Sequence, residues 1–522
     1  MRLFFYFSKS SHGSINVGER LNKTAFVLVK CCTSKTNDEP SSTDREISRS
    51  NKWGYTPQEN GFKKHDKNTT GLYHLGTINL PLQLETNLNE YLRKFPSKLL
   101  VEDAVQLSKH LQNRGRPTER TWTKYKEAKA ARKQLRENAE IQPPNDTQSE
   151  IGIRLAAKDV DILPSSSETH IEKPTRASLT RKPKMQEYKI IRYQKRQAAA
   201  YAADRVPASY GATLRVLHEI AKREKDFKPE TVLDFGSGVG TATWAVHELW
   251  KDSIKIYQCV DVSHDMNGTA EYLLRSSEGY RTPHYIPRIY FKEYLPVTDK
   301  VTYDIVLASY SLSEIPFSRA RQEILESLWR KTNHFLVIVE KGNNEGFDIT
   351  TQARDLVADS QKEKPVMKNY SSPEIDDEFK RSLGFVYSPC PHDLVCPRFD
   401  VNTRDQPCNF EQRVQLSFAQ RKSNLKKYGY YNEMFSYVVL RKGERCTEGL
   451  DWARLLRPVR LREKHVICNF CSKNGSLEQK ILTKRKDSEI YKCVRHRAKW
   501  GDLLPVDVEK KDQVDAEKKR PS

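Results

Sequence analysis

At 522 residues the chain is long enough for two or three domains, yet with 37% hydrophobic against 30% charged residues a sizeable share of it is not packed core. Its net charge of +21 is unevenly placed: residues 411–500 hold 22 Lys and Arg against 9 Asp and Glu, more than half of the excess. Clustered cations are the footprint of a phosphate-rich partner, nucleic acid first; an evenly solvated charge excess would not gather on one stretch, and an acidic membrane surface would call for an apolar anchor that the sequence lacks.

The N-terminal apolar run, Leu3 to Phe7, is too short for a membrane span or a secretory core. Up to Asp38 the sequence carries several Arg and Lys, many Ser and Thr and one acid, Glu19, so residues 1–37 read as a mitochondrial targeting segment leading to the matrix. Ten cysteines without a secretory signal point to thiolates used as ligands rather than to a disulfide framework. Residues 38–75 read as a disordered linker. A helical region, 76–138, follows, with helices expected over 80–111 and 118–138; the second carries Lys124, Lys126, Lys129, Arg132, Lys133 and Arg136, a solvated face that can add to an RNA-facing surface. Residues 139–184 read as a second, flexible linker.

From 185 helices and strands alternate, which predicts an α/β fold with a mostly parallel sheet over 185–445. Helices are expected over 185–201 and 209–225, separated by a break at Pro207. Strands are expected over 231–235, 254–260, 288–291, 303–308 and 334–340, and two more, near 385–387 and 435–440, close the sheet. A cysteine loop, 388–410, lies between those last two. Residues 446–505 form a smaller basic unit: a strand over 465–471, a turn marked by Asn474-Gly475, a returning strand over 477–483 and a helix toward Trp500. The tail 506–522 reads as disordered.

Two patterns carry chemistry. Asp234-Phe-Gly236-Ser-Gly238-Val-Gly240 joins a predicted strand to a predicted helix, and Asp261 ends the next strand, where an acid can receive ribose hydroxyls. The spacing resembles the S-adenosylmethionine turn of class I methyltransferases more than a dinucleotide fingerprint. After the fourth strand, Tyr310 and Glu314 are the candidates by position for a general base, with a capping or lid role open for each; no catalytic residue is assigned. The second pattern is the proline-flanked pair Cys390 and Cys396, whose stiff loop pre-aims sulfur. Cys468-Asn-Phe-Cys471 adds the spacer of a zinc knuckle, and on a strand only one of those two can face a shared centre. Spacing alone does not separate zinc from an iron-sulfur cluster, since both accept four thiolates, but the residues by themselves favour zinc. Cys259, Cys446 and Cys493 read as small buried apolar residues, and His392 as a loop-capping or supporting imidazole.

Tyr201-Ala-Ala-Asp-Arg-Val-Pro-Ala-Ser-Tyr210, Leu233-Asp-Phe-Gly-Ser-Gly238, Ser311-Leu-Ser-Glu-Ile-Pro316, Pro389-Cys-Pro-His-Asp393, Phe435-Ser-Tyr437 and Trp500-Gly-Asp502 together resemble the methyltransferase-like protein 17 family, over roughly 185–505. The resemblance implies a class I methyltransferase-like fold and an assembly and translation factor that binds the mitochondrial small ribosomal subunit and its rRNA; the chain is expected not to insert into a membrane and to be monomeric when free. The resemblance also implies a [4Fe-4S] cluster on Cys390, Cys396, Cys408 and Cys471, with zinc the alternative and S-adenosylmethionine a possible ligand of the glycine turn. Pro407 and Asn409 flank Cys408 where the family tends to carry Trp and His. An active S-adenosylmethionine-dependent rRNA methyltransferase is the alternative function. Arg454, Arg457, Arg460, Arg462, Lys484, Arg485, Lys486, Arg495 and Arg497 are the candidate phosphate contacts.

Overall fold

Prolines set the first two helices. Pro81 and Pro96 each stand at an N-cap, where a missing N–H costs nothing, so the helix expected over 80–111 is two: α1, Leu82–Leu92, and α2, Ser97–Asn113. The computed structural model describes residues 71–114, 191–275, 282–362 apart from 297 and 299, 383–399, 406–423, 429–445 and 452–506, all within one compact unit. The targeting segment, the basic helix expected over 118–138, the linker 139–184 and the tail beyond 506 lie outside them.

Pro207 does not break a helix. Helix α3, Lys195–Arg223, runs straight through it. The proline forfeits one backbone bond, but Ala202, Ala203, Val206 and Ala208 around it are completely buried, and tertiary packing outweighs the local cost of about 3 kcal/mol.

The large sheet follows: β1 Thr231–Phe235, α4 Thr241–Trp250, β2 Ile256–Val260, α5 His264–Arg275, β3 Ile289–Lys292, β4 Tyr303–Ser309, α6 Ser318–Arg330, β5 Thr332–Lys341, α7 Asn344–Lys362, β6 Gly384–Ser388, β7 Phe410–Gln415, α8 Phe418–Lys422 and β8 Tyr430–Lys442. Strands run β3-β2-β1-β4-β5-β8-β6, with β7 also paired to β8. The five from β3 to β5 are mutually parallel and β8 enters antiparallel between β5 and β6. This order, with its inserted antiparallel strand, is the class I methyltransferase-like arrangement. Strand order reverses between β1 and β4, which opens a crevice at their carboxyl ends.

A second sheet holds β9 Ala453–Leu455, β10 Arg460–Leu461, β11 His465–Cys471, β12 Leu477–Thr483 and β13 Leu503–Leu504, ordered β10-β11-β9-β13 with β12 on β11; α9, Ser488–His496, follows the hairpin. Buried polar groups bolt it to α3. Arg454 donates to Glu219 at 2.7 and 3.1 Å, to the Pro389 carbonyl at 2.8 Å and to the Gly501 carbonyl at 2.7 Å. Residues 71–75, the end of the expected linker, are fixed as well: Tyr73 is 2% exposed and donates its N–H to Asp502 at 2.7 Å. Among the described residues no helix is long and apolar enough to cross a membrane.

Candidate cofactor turn, cysteine centre and basic surface

Gly236, Gly238 and Gly240 all hold positive φ, at 66°, 54° and 82°. At 236 space is the tighter demand, because a Cβ would stand 2.3 Å from the Ser311 Cβ. Gly236→Ala therefore meets both strain and overlap, and is expected to lower stability by at least about 2 kcal/mol in urea unfolding. Gly238 N–H donates to Asp261 Oδ2 and Ser263 N–H to its Oδ1, both at 2.9 Å, so the acid braces the turn while each oxygen keeps a lone pair for a hydroxyl. Asp234 works from beneath: its carboxylate accepts from Thr243 N–H at 3.2 Å and Oγ1 at 2.8 Å, and burial lifts its pKa to about 6. The Ser311 hydroxyl is buried without a partner, a polar group of the kind a nucleoside ligand engages, while Ser237 hydrogen-bonds the Cys259 thiol. The turn fits such a ligand.

On the acceptor side both base candidates are engaged. Burial alone would raise the Glu314 pKa, but Arg114 from the end of α2 donates to both carboxylate oxygens, at 2.9 and 3.1 Å, and holds it below the usual value. Tyr310, with φ of 55°, donates its hydroxyl to Glu433 at 3.1 Å, and Arg205 reaches the same carboxylate at 2.7 Å. Burial and that carboxylate push the phenol well above its ordinary range.

Cys390, Cys396, Cys408 and Cys471 line one small cavity that opens to solvent. They arrive from separate elements: the loop after β6, the approach to β7 and the end of β11. Burial and the neighbouring Cys390 sulfur push the Cys396 thiol up to about 11, and burial and the other cysteines raise Cys408 and Cys471 well above the ordinary thiol value. Cys468 is buried away from that cavity, its thiol lifted to about 12 by burial alone. His392 Nε2 lies 3.3 Å from Cys471 Sγ. Cys259 and Cys493 are buried singly; Cys446 lies outside the described residues. Among the described residues no three His, Cys, Asp or Glu side chains close on a single metal ion. Sequence reasoning missed Arg354 of α7 and Arg398, both beside these cysteines, because a single arginine in a helix or turn carries no pattern.

The basic residues divide. Arg454 is 1% exposed and committed to Glu219, so its reading as a phosphate contact is overturned. Arg457 is half-buried against Trp500 and donates to Asn409 at 3.3 Å; Arg495 and Arg497 are half-buried too. Arg460, Arg462, Lys464, Lys484, Arg485 and Lys486 are exposed. Thr483 pairs with His465, which brings the 484–486 run to the end of the sheet where Arg462 and Lys464 stand.

Solved structures similar to the chain include a magnesium protoporphyrin IX methyltransferase from Synechocystis (11% identity, 45% of this chain and 84% of that one, TM-score 0.25) and an S-adenosylmethionine-dependent methyltransferase from Aquifex aeolicus (15%, 48% and 100%, TM-score 0.25). Among curated proteins, the human mitochondrial ribosome assembly protein METTL17 is 37% identical over 318 residues, 60% of this chain and 64% of that protein. A mitochondrial Rsm22-cox11 tandem protein of Schizosaccharomyces pombe is 26% identical over 352 residues, 60% and 43%, and the mitochondrial ribosome assembly protein RSM22 of Saccharomyces cerevisiae 20% over 422 residues, 59% and 67%. The chain thus spans less than two thirds of the length of the first two of these relatives. The family model described as mitochondrial small ribosomal subunit Rsm22 matches residues 195–505, more than half of the sequence, and the chain belongs to that family.

Proposed function

We propose that the protein is an assembly and translation factor of the mitochondrial small ribosomal subunit, acting in the matrix, that binds rRNA through the exposed cations of its second sheet and carries a [4Fe-4S] cluster on Cys390, Cys396, Cys408 and Cys471. The observation that carries this reading is the meeting of four cysteines from separate segments on one cavity, beside the sheet that bears the basic surface. Their donor chemistry suits either a cluster or zinc. The resemblance to the methyltransferase-like protein 17 family is what favours the cluster over zinc. Bound there, the group supplies a cross-link between the loop after β6 and the end of β11, so metal affinity becomes stability of the RNA-binding unit. The chain's own residues do the rest: prolines 389 and 397 stiffen the loop, and Arg454 ties Pro389 to Gly501.

Anaerobically purified protein is expected to be brown, with iron and sulfide near the cluster's stoichiometry, and Cys390→Ser to lose most of both. Colourless, zinc-loaded protein would replace the cluster by zinc. An active rRNA methyltransferase is the second reading, favoured by the glycine turn and the unpartnered Ser311 hydroxyl beside it; transfer of a labelled methyl group from S-adenosylmethionine to small-subunit rRNA would establish it. The engagement of Glu314 and Tyr310 favours the binding role.

A further inference from the structure

We infer that Arg354 and Arg398 are positioning residues of the cysteine centre, two guanidiniums that shape the cysteine loop and offset the negative charge of the thiolate-bound group. The inference rests on the proposed cluster and concerns residues outside its ligand set.

Arg354 projects from α7, and its side chain is 4% exposed. One of its nitrogens donates to the carbonyls of His392, at 3.3 Å, and Leu394, both within the span from Cys390 to Cys396, so one guanidinium folds the loop between two ligands. The same group bonds Cys390 and faces Cys396. Its carboxylate neighbour, Asp355, is half-exposed and 4.0 Å away. Arg398, in the short turn Pro397–Phe399, lines the cavity; its side chain donates to Gln406 at 3.1 Å and its backbone N–H bonds Cys396. Among the described residues it makes no ion pair. The Nε of each arginine is buried without an acceptor. Arg454 also lines the cavity, but Glu219 takes its charge.

A buried guanidinium with no carboxylate, as Arg398, or with only a half-exposed one 4.0 Å away, as Arg354, is costly unless an anion meets it. Four thiolates around an oxidised [4Fe-4S] core leave a net charge of about −2, which two guanidiniums match. Removing either cation disfavours the reduced, more negative state, and removing Arg354 also frees the loop that presents Cys390 and Cys396.

The test uses the full chain, purified anaerobically, as wild type, Arg354→Gln, Arg354→Lys and Arg398→Gln. Iron and sulfide per chain, the rate of iron loss to a chelator and the midpoint potential are measured, with circular dichroism as the check on folding. Expected are at least about tenfold faster iron loss in Arg354→Gln and Arg398→Gln, a more negative potential in both, and recovery of the potential in Arg354→Lys. Should Arg354→Gln fail to fold, Arg398→Gln and Arg354→Lys decide alone. A loaded wild type with unchanged potential and iron loss in the folded Gln variants overturns the inference while leaving the cluster in place. A wild type free of iron and sulfide overturns the cluster, and the inference with it.

Discussion

Glu219→Gln is expected to lower the unfolding free energy at pH 7 by about 3–5 kcal/mol, because it leaves a buried guanidinium without its counter-charge. Glu219 is completely buried on α3 and accepts from Arg454 at 2.7 and 3.1 Å, Arg223 at 3.1 Å and the Tyr437 hydroxyl at 3.2 Å, with Arg215 3.8 Å away. Burial acts to raise its pKa, but Arg454 and the other guanidiniums prevail and hold it at about 2, against an ordinary 4.5. A depressed carboxylate pKa contributes stability that is present in full above the unfolded value and lost as pH falls through the folded one. Wild type should therefore lose stability from pH 4.5 down to 2, and Glu219→Gln should show a flatter dependence over that window. Urea unfolding at pH 7 and pH 3 measures both. Equal stability of the two proteins at pH 7 would show that the pair is not what joins the second sheet to α3. Since Arg454 also holds the Pro389 carbonyl, the same substitution should loosen the loop that presents Cys390.

What could be read from the sequence and what could not follow the range of the interactions. Strand β1 and both strands of the β11–β12 hairpin fall where alternation and the Asn474-Gly475 turn place them, because local pattern and tertiary demand agree there. The glycine turn was legible because positive φ and close approach leave no other residue. Pro207 misled, since a local penalty predicts a break that packing over the whole of α3 overrides. β7 was missed because Phe410-Glu-Gln-Arg-Val-Gln415 is mostly polar and pairs with β8, later in the chain, and through one bridge with Ile78, far earlier in it, and β9, β10 and β13 are two or three residues long. Arg454 looked like one more cation in a basic run; its partner lies 235 positions earlier, and no local signal marks that pairing. The cysteines could be named, and a family resemblance supplied the set of four, but their common cavity depends on the two sheets coming together.

Replacing Lys484, Arg485 and Lys486 together by Glu is expected to weaken binding to a small-subunit rRNA fragment about a hundredfold near 150 mM salt, and to reduce the slope of log K against log salt by about 2–3. The three side chains are exposed just past Thr483, whose register with His465 places them near Arg462 and Lys464. Every phosphate that is no longer neutralised keeps its condensed counterions and takes about 0.7 to 0.9 off the slope, depending on strandedness, so the slope reports how many phosphates the protein engages, independently of folding. Solvated side chains at a sheet end cost little stability when replaced, and the melting temperature should hold within about 2 °C. Cys390→Ser makes the complementary case. If the cysteine centre acts by holding the basic sheet in place, that variant should lose affinity and melting temperature together, whereas the charge-reversed protein loses affinity alone. Fluorescence anisotropy across a salt series, alongside thermal unfolding of the same samples, separates the two. An unchanged slope in the triple variant would move the RNA-binding surface away from this sheet, to other exposed cations of the chain.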